Sequence, residues 1–125
     1  MRLLLDAHAL LWWLADDPTL EAGARSLIAD PANEVFVSAA TVWEIAIKRA
    51  LGKLDAPPDL AGALDELGFT ATPVTATDAE RAGGLDPHHR DPFDRMLVAQ
   101  AARLDAAVVT RDPIFARYGT RTVPA

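Results

Sequence analysis

Residues 3–14, LLLDAHALLWWL, decide the fold class of this sequence. The apolar run at their start has no polar alternation, which is typical of a strand buried on both faces in a parallel sheet. Asp6 ends this run, and open α/β sheets bind ligands at the carboxyl ends of their strands. A carboxylate is costly there if it is buried without a partner. We therefore ask whether the remaining sequence brings other acidic side chains, and with them a partner for the charge, to the same place as Asp6.

The composition predicts one globular domain spanning residues 1–125, because 50% of the residues are hydrophobic. The formal net charge of −6 argues against a protein that coats nucleic acid through its overall charge. It still allows an enzyme with cations in an acidic pocket. The absence of cysteine excludes thiolate metal sites and leaves a hard cation bound by oxygen. No secretory signal or membrane-spanning stretch is visible, so we expect a soluble, cytoplasmic protein with no membrane association.

Strand and helix candidates alternate along the rest of the chain. Four further strands are predicted at residues 35–37, 69–74, 106–110 and 121–124. Helices are predicted at residues 20–29, 39–51, 60–67, 77–82 and 92–104, with Ser38, Asp59, Thr77 and Asp91 as N-caps, and a short turn or helix follows Asp112-Pro113. This alternation implies an α/β fold with a mostly parallel sheet of four to five strands, covered on both faces.

Three acidic residues can be compared with Asp6. Asp112 follows the fourth predicted strand, Asp94 lies in the first turn of the long helix after Asp91, and Glu44 lies about two turns into the helix after the second strand. If the strands are parallel, all four acids can face one place at the same edge of the sheet. Each also has an ordinary explanation, as an N-cap, as a charge at a helix start, or as half of a surface ion pair.

Four carboxylates at one edge would repel one another, and some would be forced to bind protons. A divalent cation removes this penalty, and Mg²⁺ prefers oxygen ligands. One or two such ions can activate water and stabilise the leaving oxygen in phosphodiester cleavage. The acidic set therefore predicts metal-assisted hydrolysis of a phosphodiester. We interpret Asp91 as an N-cap, because Pro92 follows it directly, and Asp94 as the ligand.

Four segments, in this order, resemble PIN-domain ribonucleases, most closely the toxin half of VapBC toxin–antitoxin pairs. The segments are residues 6–12 (DAHALLW), residues 38–44, residues 91–95 (DPFDR) with AQA at 99–101, and residues 110–112 (TRD). The resemblance implies a PIN-like three-layer α/β/α sandwich and Mg²⁺- or Mn²⁺-dependent endoribonuclease activity. It also implies a cognate antitoxin whose tail occupies the active-site groove, and often a homodimer.

The resemblance also assigns roles to residues. The family's acidic set falls on Asp6, Glu44, Asp94 and Asp112. Asp6 and Asp94 would be the main metal ligands, and the other two would complete the site directly or through water. Thr110 matches a hydroxyl residue that would orient the last acid. One departure is Ala7, where many relatives carry Ser or Thr, so any hydroxyl contribution there is absent.

The basic residues near these acids are open to two interpretations. Lys48, Arg49 and Lys53 follow Glu44 and either contact RNA phosphates or form a solvated helix face. Arg95 and Arg111 either contact the substrate or pair with an acid, and for Arg95 we favour pairing.

The histidines and tryptophans receive no catalytic role. None of His8, His88 and His89 has a second residue at metal-ligand spacing, and we expect His8 to pack in its helix. Large apolar side chains more often belong to a core or an interface than to a base-stacking site. We expect this of the three tryptophans, with residue 12 or 13 at a dimer or antitoxin surface: Trp12, Trp13 and Trp43.

Two other functions remain as alternatives. A phosphatase with Asp6 as nucleophile usually needs a second acid two residues later, where this chain has His8. A non-catalytic binding module on a PIN-like scaffold would have no need of the complete acidic set. Both alternatives are less consistent with the sequence than a nuclease.

Overall fold

A five-stranded parallel sheet forms the centre of this protein, which we describe over residues 1–125 from a computed structural model. The strands are β1 (Arg2–Leu5), β2 (Glu34–Ser38), β3 (Thr70–Thr72), β4 (Ala107–Thr110) and β5 (Thr122–Pro124). The helices are α1 (Ala7–Leu14), α2 (Ala22–Ala29), α3 (Ala39–Ala50), α4 (Leu60–Leu67), α5 (Ala76–Gly83) and α6 (Pro92–Leu104), with a 3₁₀ helix at Pro113–Tyr118. None of the helices has the length and apolar character needed to cross a membrane.

The sheet has the strand order β3-β2-β1-β4-β5, and every neighbouring pair is parallel. At the centre, Leu4 of β1 lies between Phe36 of β2 and Val108 of β4. The chain moves to one side of β1 through β2 and β3, and to the other side through β4 and β5. This reversal between β1 and β4 creates a crevice at their carboxyl ends, the usual ligand site of such sheets.

Hydrophobic cores lie on both faces of the sheet, as the unbroken apolar run of β1 predicts. Leu3 and Leu5 point into a core that includes residues of α1, α2, α3 and α4, while Leu4 points into a second core with residues of α6 and Phe115. All three leucines are fully buried. The predicted three-layer α/β/α sandwich is therefore confirmed, and Asp6 follows its central strand.

The start of α5 corrects one prediction. We expected Thr77 to be the N-cap, but the hydroxyl of Thr75 accepts a hydrogen bond from the Asp78 amide at 3.0 Å, and the Asp78 carboxylate accepts one from the Thr75 amide at 3.2 Å. This reciprocal capping box satisfies two backbone donors and fixes the helix start. The Arg103 guanidinium contacts Asp78 at 2.7 Å and holds the pKa of that carboxyl at about 2. The ion pair joins α5 to α6, the helix that begins at the candidate site.

Candidate active site

A cavity of about 410 Å³ lies at the carboxyl ends of β1 and β4, where the strand order reverses. The four acids singled out from the sequence lie in its lining, and each comes from a different element: Asp6, Glu44, Asp94 and Asp112. The other lining residues are Ala7, His8, Trp12, Lys48, Asp91 and Arg111. The parallel sheet thus brings together carboxylates that are up to about a hundred residues apart in sequence.

Asp6 and Asp112 are helix N-caps as well as lining residues. Asp6 Oδ1 accepts a hydrogen bond from the Ala9 amide at 2.8 Å, and Asp112 Oδ1 accepts one from the Ile114 amide at 2.9 Å. Thr110 lies between them, because its hydroxyl bonds to the Asp6 side chain and its Oγ1 accepts from the Asp112 amide at 3.1 Å. In Asp112, capping uses Oδ1 and leaves Oδ2 for other partners.

Asp94 reaches the cavity from the first turn of α6, and Glu44 from the middle of α3. Asp91 caps α6 as predicted, accepting a hydrogen bond from the Phe93 amide at 2.8 Å, so that Asp94 lies in the first turn of the helix. Ser38 caps α3 as predicted, and Glu44 follows on its buried side. The Glu44 carboxylate pairs with the Lys48 ammonium at 2.7 Å, which raises the pKa of Lys48.

His89 is the residue that sequence reasoning missed. Its Nε2 lies 2.8 Å from Asp94 Oδ2 and 3.4 Å from Asp112 Oδ2. One potential ligand atom from each of these residues lies within 4.8 Å of the other two. No metal-site motif has a histidine spaced from an acid as His89 is from Asp94 or Asp112. For this reason we assigned His89 no role. The one available signal was its place in the polar loop directly before the helix that carries Asp94.

The electrostatics show negative charge that the protein compensates only in part. Burial raises the pKa of Asp6, and the Asp112 charge adds to this effect, against hydrogen bonds from Thr110 and the Ala9 amide. Burial also raises the pKa of Asp94 to about 6, and the nearby charges of Asp91 and Glu44 act in the same direction. Additional positive charge in the cavity would therefore stabilise the ionised carboxylates.

The donor set fits a hard divalent cation. It consists of carboxylate oxygens, which Mg²⁺ and Mn²⁺ prefer, with one imidazole nearby. Asp94 and Asp112 are the closest pair of acids to His89, whereas Asp6 and Glu44 lie elsewhere in the same lining. Such a cation would neutralise the negative charge that the carboxylates in this cavity carry in excess.

Of the three basic residues around the end of α3, only Lys48 lines the cavity. Arg49 donates a hydrogen bond to the Pro57 carbonyl, which directs its guanidinium to the loop before α4. Lys53 is exposed and lies beyond the end of α3. Our placement of Lys53 on the helix was wrong, because the helix ends before Leu51 and Gly52 continues with a positive φ of 71°.

The two arginines near the last acids bind backbone oxygens. Arg95 does not pair with an acid as we expected, because its guanidinium donates to carbonyls in the segment before α6. Arg111 lines the cavity, but it donates hydrogen bonds to main-chain oxygens of Thr19 and Ala125. Its guanidinium carbon lies 4.5 Å from the centroid of the Trp12 ring. Both side chains therefore stabilise the walls around the acids.

The aromatic residues differ in their surroundings. His8 is exposed and lines the cavity, and its ring packs against that of Trp12 in the same helix, with 5.7 Å between the ring centroids. Trp12 and Trp13 pack partly against the larger core, as expected. Trp43 does not, since it is 64% exposed and meets the Phe93 ring edge-on at 5.5 Å.

Comparisons with known proteins agree with this architecture. The family model described as "PIN domain" matches residues 3–120. The chain is similar to a solved structure of FitAB bound to an IR36 DNA fragment, with a TM-score of 0.68, 19% identity, and coverage of 97% of this chain and 93% of that chain. No curated protein sequence matches.

Two further solved structures share the fold. VapBC2 from Rickettsia felis, bound to a DNA fragment from its promoter, has a TM-score of 0.68 and 16% identity, covering 98% of each chain. FitAcB from Neisseria gonorrhoeae has a TM-score of 0.66 and 19% identity, covering 98% of this chain and 96% of that chain. At these identities the likeness concerns the fold.

The charge on Asp94 should make the cation-free protein less stable. Its pKa is about 6 in the folded chain and 3.8 as the reference value, so the folded state holds this proton more tightly. Stability is therefore lost as pH rises from about 4 to about 6, by at most about 3 kcal/mol. We expect Asp94→Asn to raise the free energy of unfolding by about 1–3 kcal/mol near neutral pH, with the gain shrinking towards about pH 4.

Urea unfolding in EDTA at several pH values measures this effect. The matched control is Asp78→Asn, which makes the same change in a buried carboxylate whose pKa is lowered to about 2 by Arg103. It should lose stability near neutral pH, because it removes a favourable charge. Loss of stability in Asp94→Asn at neutral pH would contradict the proposed excess of negative charge.

Proposed function

This chain belongs to the PIN-domain family, and from that premise we propose that it is a metal-dependent endoribonuclease and the toxin of a toxin–antitoxin pair. The observation that carries the proposal is the set of acids from four elements in one cavity. A structural role alone explains the caps at Asp6 and Asp112, but it does not explain the raised pKa of Asp94. Proteins rarely retain such an uncompensated charge without a use for it.

Mg²⁺ or Mn²⁺ is the cofactor that we propose. The sequence predicted Asp6 and Asp94 as the main ligands. Because potential ligand atoms of Asp94 and Asp112 lie within 4.8 Å of each other, we propose that these two hold the cation, and that Asp6 and Glu44 contribute directly or through water. When bound, the cation supplies activation of the attacking water and stabilisation of the leaving oxygen. Thr110 keeps the first and the last acid in register through its bonds to both.

RNA is the substrate that we propose, and the basic and aromatic residues at the cavity suit it. The Lys48 ammonium is half exposed and lies beside Glu44, so it can contact a phosphate oxygen without leaving the site. The exposed Trp43 ring beside Phe93 lies next in sequence to Glu44 and offers a surface for a base. Of the other basic candidates, Lys53 is free to contact RNA at a distance from the cavity.

We also propose that the chain binds a cognate antitoxin whose tail occupies the acidic cavity, and that it forms a homodimer. The resemblance to VapBC toxins implies both, and the fold shared with VapBC2 and FitAB chains supports the antitoxin. A tail in this cavity would shield the carboxylates from the cation and from RNA. Inhibition would then be steric and electrostatic at once.

RNA cleavage is the direct test of the activity. We expect the purified chain to cut total cellular RNA with Mg²⁺ or Mn²⁺, and EDTA to abolish the cleavage. Asp94→Asn and Asp112→Asn should each reduce the rate by a factor of about 100 or more, because each removes a charged ligand of the cation. Asp65→Asn is the matched control, since Asp65 is exposed on α4 and should leave the rate unchanged.

Circular dichroism of each variant checks that the fold is intact. Cleavage in EDTA, or full activity in both folded variants, would contradict the proposed mechanism. Cation binding without any cleavage would favour the non-catalytic binding module.

The antitoxin proposal predicts a growth phenotype. Production of the chain alone in bacteria should arrest growth, and co-production with the protein encoded directly upstream should relieve the arrest. Asp94→Asn should cause no arrest, because the cleavage that harms the cell is lost. Light scattering of the purified chain should give twice the monomer mass, and addition of the upstream protein should give a heavier species without nuclease activity. An upstream protein that neither binds nor inhibits would contradict this pairing.

A further inference from the structure

The segment between α5 and α6 is held in one conformation by side chains from outside it. Arg95 lies in α6, and its two terminal nitrogens donate hydrogen bonds of 2.9–3.3 Å to a group of backbone carbonyls, those of Gly83, Leu85, Asp86 and His89. One guanidinium thus binds four main-chain carbonyls of this segment. The loop is therefore a built element with a fixed shape.

Tyr118 fixes the same segment from the 3₁₀ helix. Its hydroxyl donates to the Asp86 carbonyl at 2.7 Å and accepts from the His89 amide at 2.9 Å. The ring of His88 packs edge-on against the Tyr118 ring at 5.0 Å, and so points to a different neighbour. The backbone of His89 is consequently bonded on both sides, at its amide by Tyr118 and at its carbonyl by Arg95.

The contacts of the His89 ring determine which nitrogen carries the proton. The Asp91 amide points at Nδ1 at 3.4 Å, and because an amide can only donate, Nδ1 must offer its lone pair. Nε2 then carries the hydrogen of the neutral ring. It donates this hydrogen to Asp94 Oδ2 at 2.8 Å and has Asp112 Oδ2 at 3.4 Å as a second neighbour.

We propose that His89 is a positioning residue, which holds the carboxylates of Asp94 and Asp112 in the arrangement that binds the cation. The two acids belong to different elements, one in α6 and one after β4, and their like charges favour turning apart. The Nε2–H group is a shared neighbour that counters this repulsion. This role rests on the proposed function, because the cation that the two acids would hold is part of that function.

The same contacts argue against His89 as a ligand of the cation. Binding through Nε2 would require the hydrogen to leave that nitrogen, and in a neutral ring it would move to Nδ1. There it would face the hydrogen of the Asp91 amide. The ring therefore acts on the cation through Asp94, as groups that orient metal ligands commonly do.

A calorimetric titration of the purified chain with Mn²⁺ alone tests this role of His89 without RNA. We expect His89→Ala to weaken Mn²⁺ binding by a factor of about 10 or more, the range found when groups that orient ligands are lost. His89→Gln should recover most of the affinity, because its amide N–H can take the place of Nε2–H. His88→Ala is the matched control and should bind as the unaltered chain does, since its ring faces Tyr118.

Nitrogen NMR of the His89 ring distinguishes a positioning residue from a ligand of the cation. We expect the Nε2–H form in the cation-free chain, and the same form after Mg²⁺ is added. Loss of the Nε2 proton on addition of Mg²⁺ would overturn the proposal and make His89 a ligand. Unchanged Mn²⁺ affinity in His89→Ala would overturn it as well. The NMR result uses the unaltered chain, so it tests the ligand alternative even if His89→Ala does not fold. The Mn²⁺ affinity of His89→Gln then tests the positioning role.

These measurements separate the two proposals. A chain that binds Mn²⁺ with the expected dependence on His89 but cuts no RNA would leave the positioning role intact and defeat the nuclease. Cleavage that depends on Asp94 but not on His89 would support the nuclease and contradict the positioning role.

Discussion

Mutual repulsion among carboxylates at the carboxyl end of a parallel sheet is the constraint on which the rest of this structure depends. The central strand β1 is buried on both faces, so the acid that follows it is buried as well. The strand order reverses beside it, which brings the end of β4, the start of α6 and the second half of α3 to the same crevice. Helix caps, one lysine and one histidine compensate part of the resulting negative charge, and the rest remains uncompensated.

Structural roles and the proposed functional roles fall on the same side chains. Asp112 caps the 3₁₀ helix with Oδ1 and presents Oδ2 to the cavity, and Asp6 caps α1 while lying in the same lining. Capping fixes the position of a carboxylate at the cost of one acceptor oxygen. The starts of two helices thus hold the carboxylates of Asp6 and Asp112 in fixed positions in the cavity lining. The two explanations that the sequence left open for these residues are compatible.

Local sequence signals were sufficient to predict most of the fold and the convergence of the four acids. Short apolar runs indicated the strands, Asp91 before proline indicated the start of α6, and a parallel sheet implied that distant acids converge. The missed features depend on tertiary contacts. His89 meets its partners only when α6 and the end of β4 are side by side, and Arg95 binds carbonyls, which have no sequence signature. The choice between Thr75 and Thr77 as a cap depended on a reciprocal bond to a third residue.

A crystal structure of the chain with Mn²⁺, with the ion located by its anomalous scattering, tests the central claim most directly. The account predicts anomalous density in the cavity, within about 2.0–2.5 Å of carboxylate oxygens of both Asp94 and Asp112. His89 should remain bonded to Asp94, outside ligand distance. Density at a separate surface position, or a cavity without density while Asp94 and Asp112 point to different solvent regions, would contradict the account.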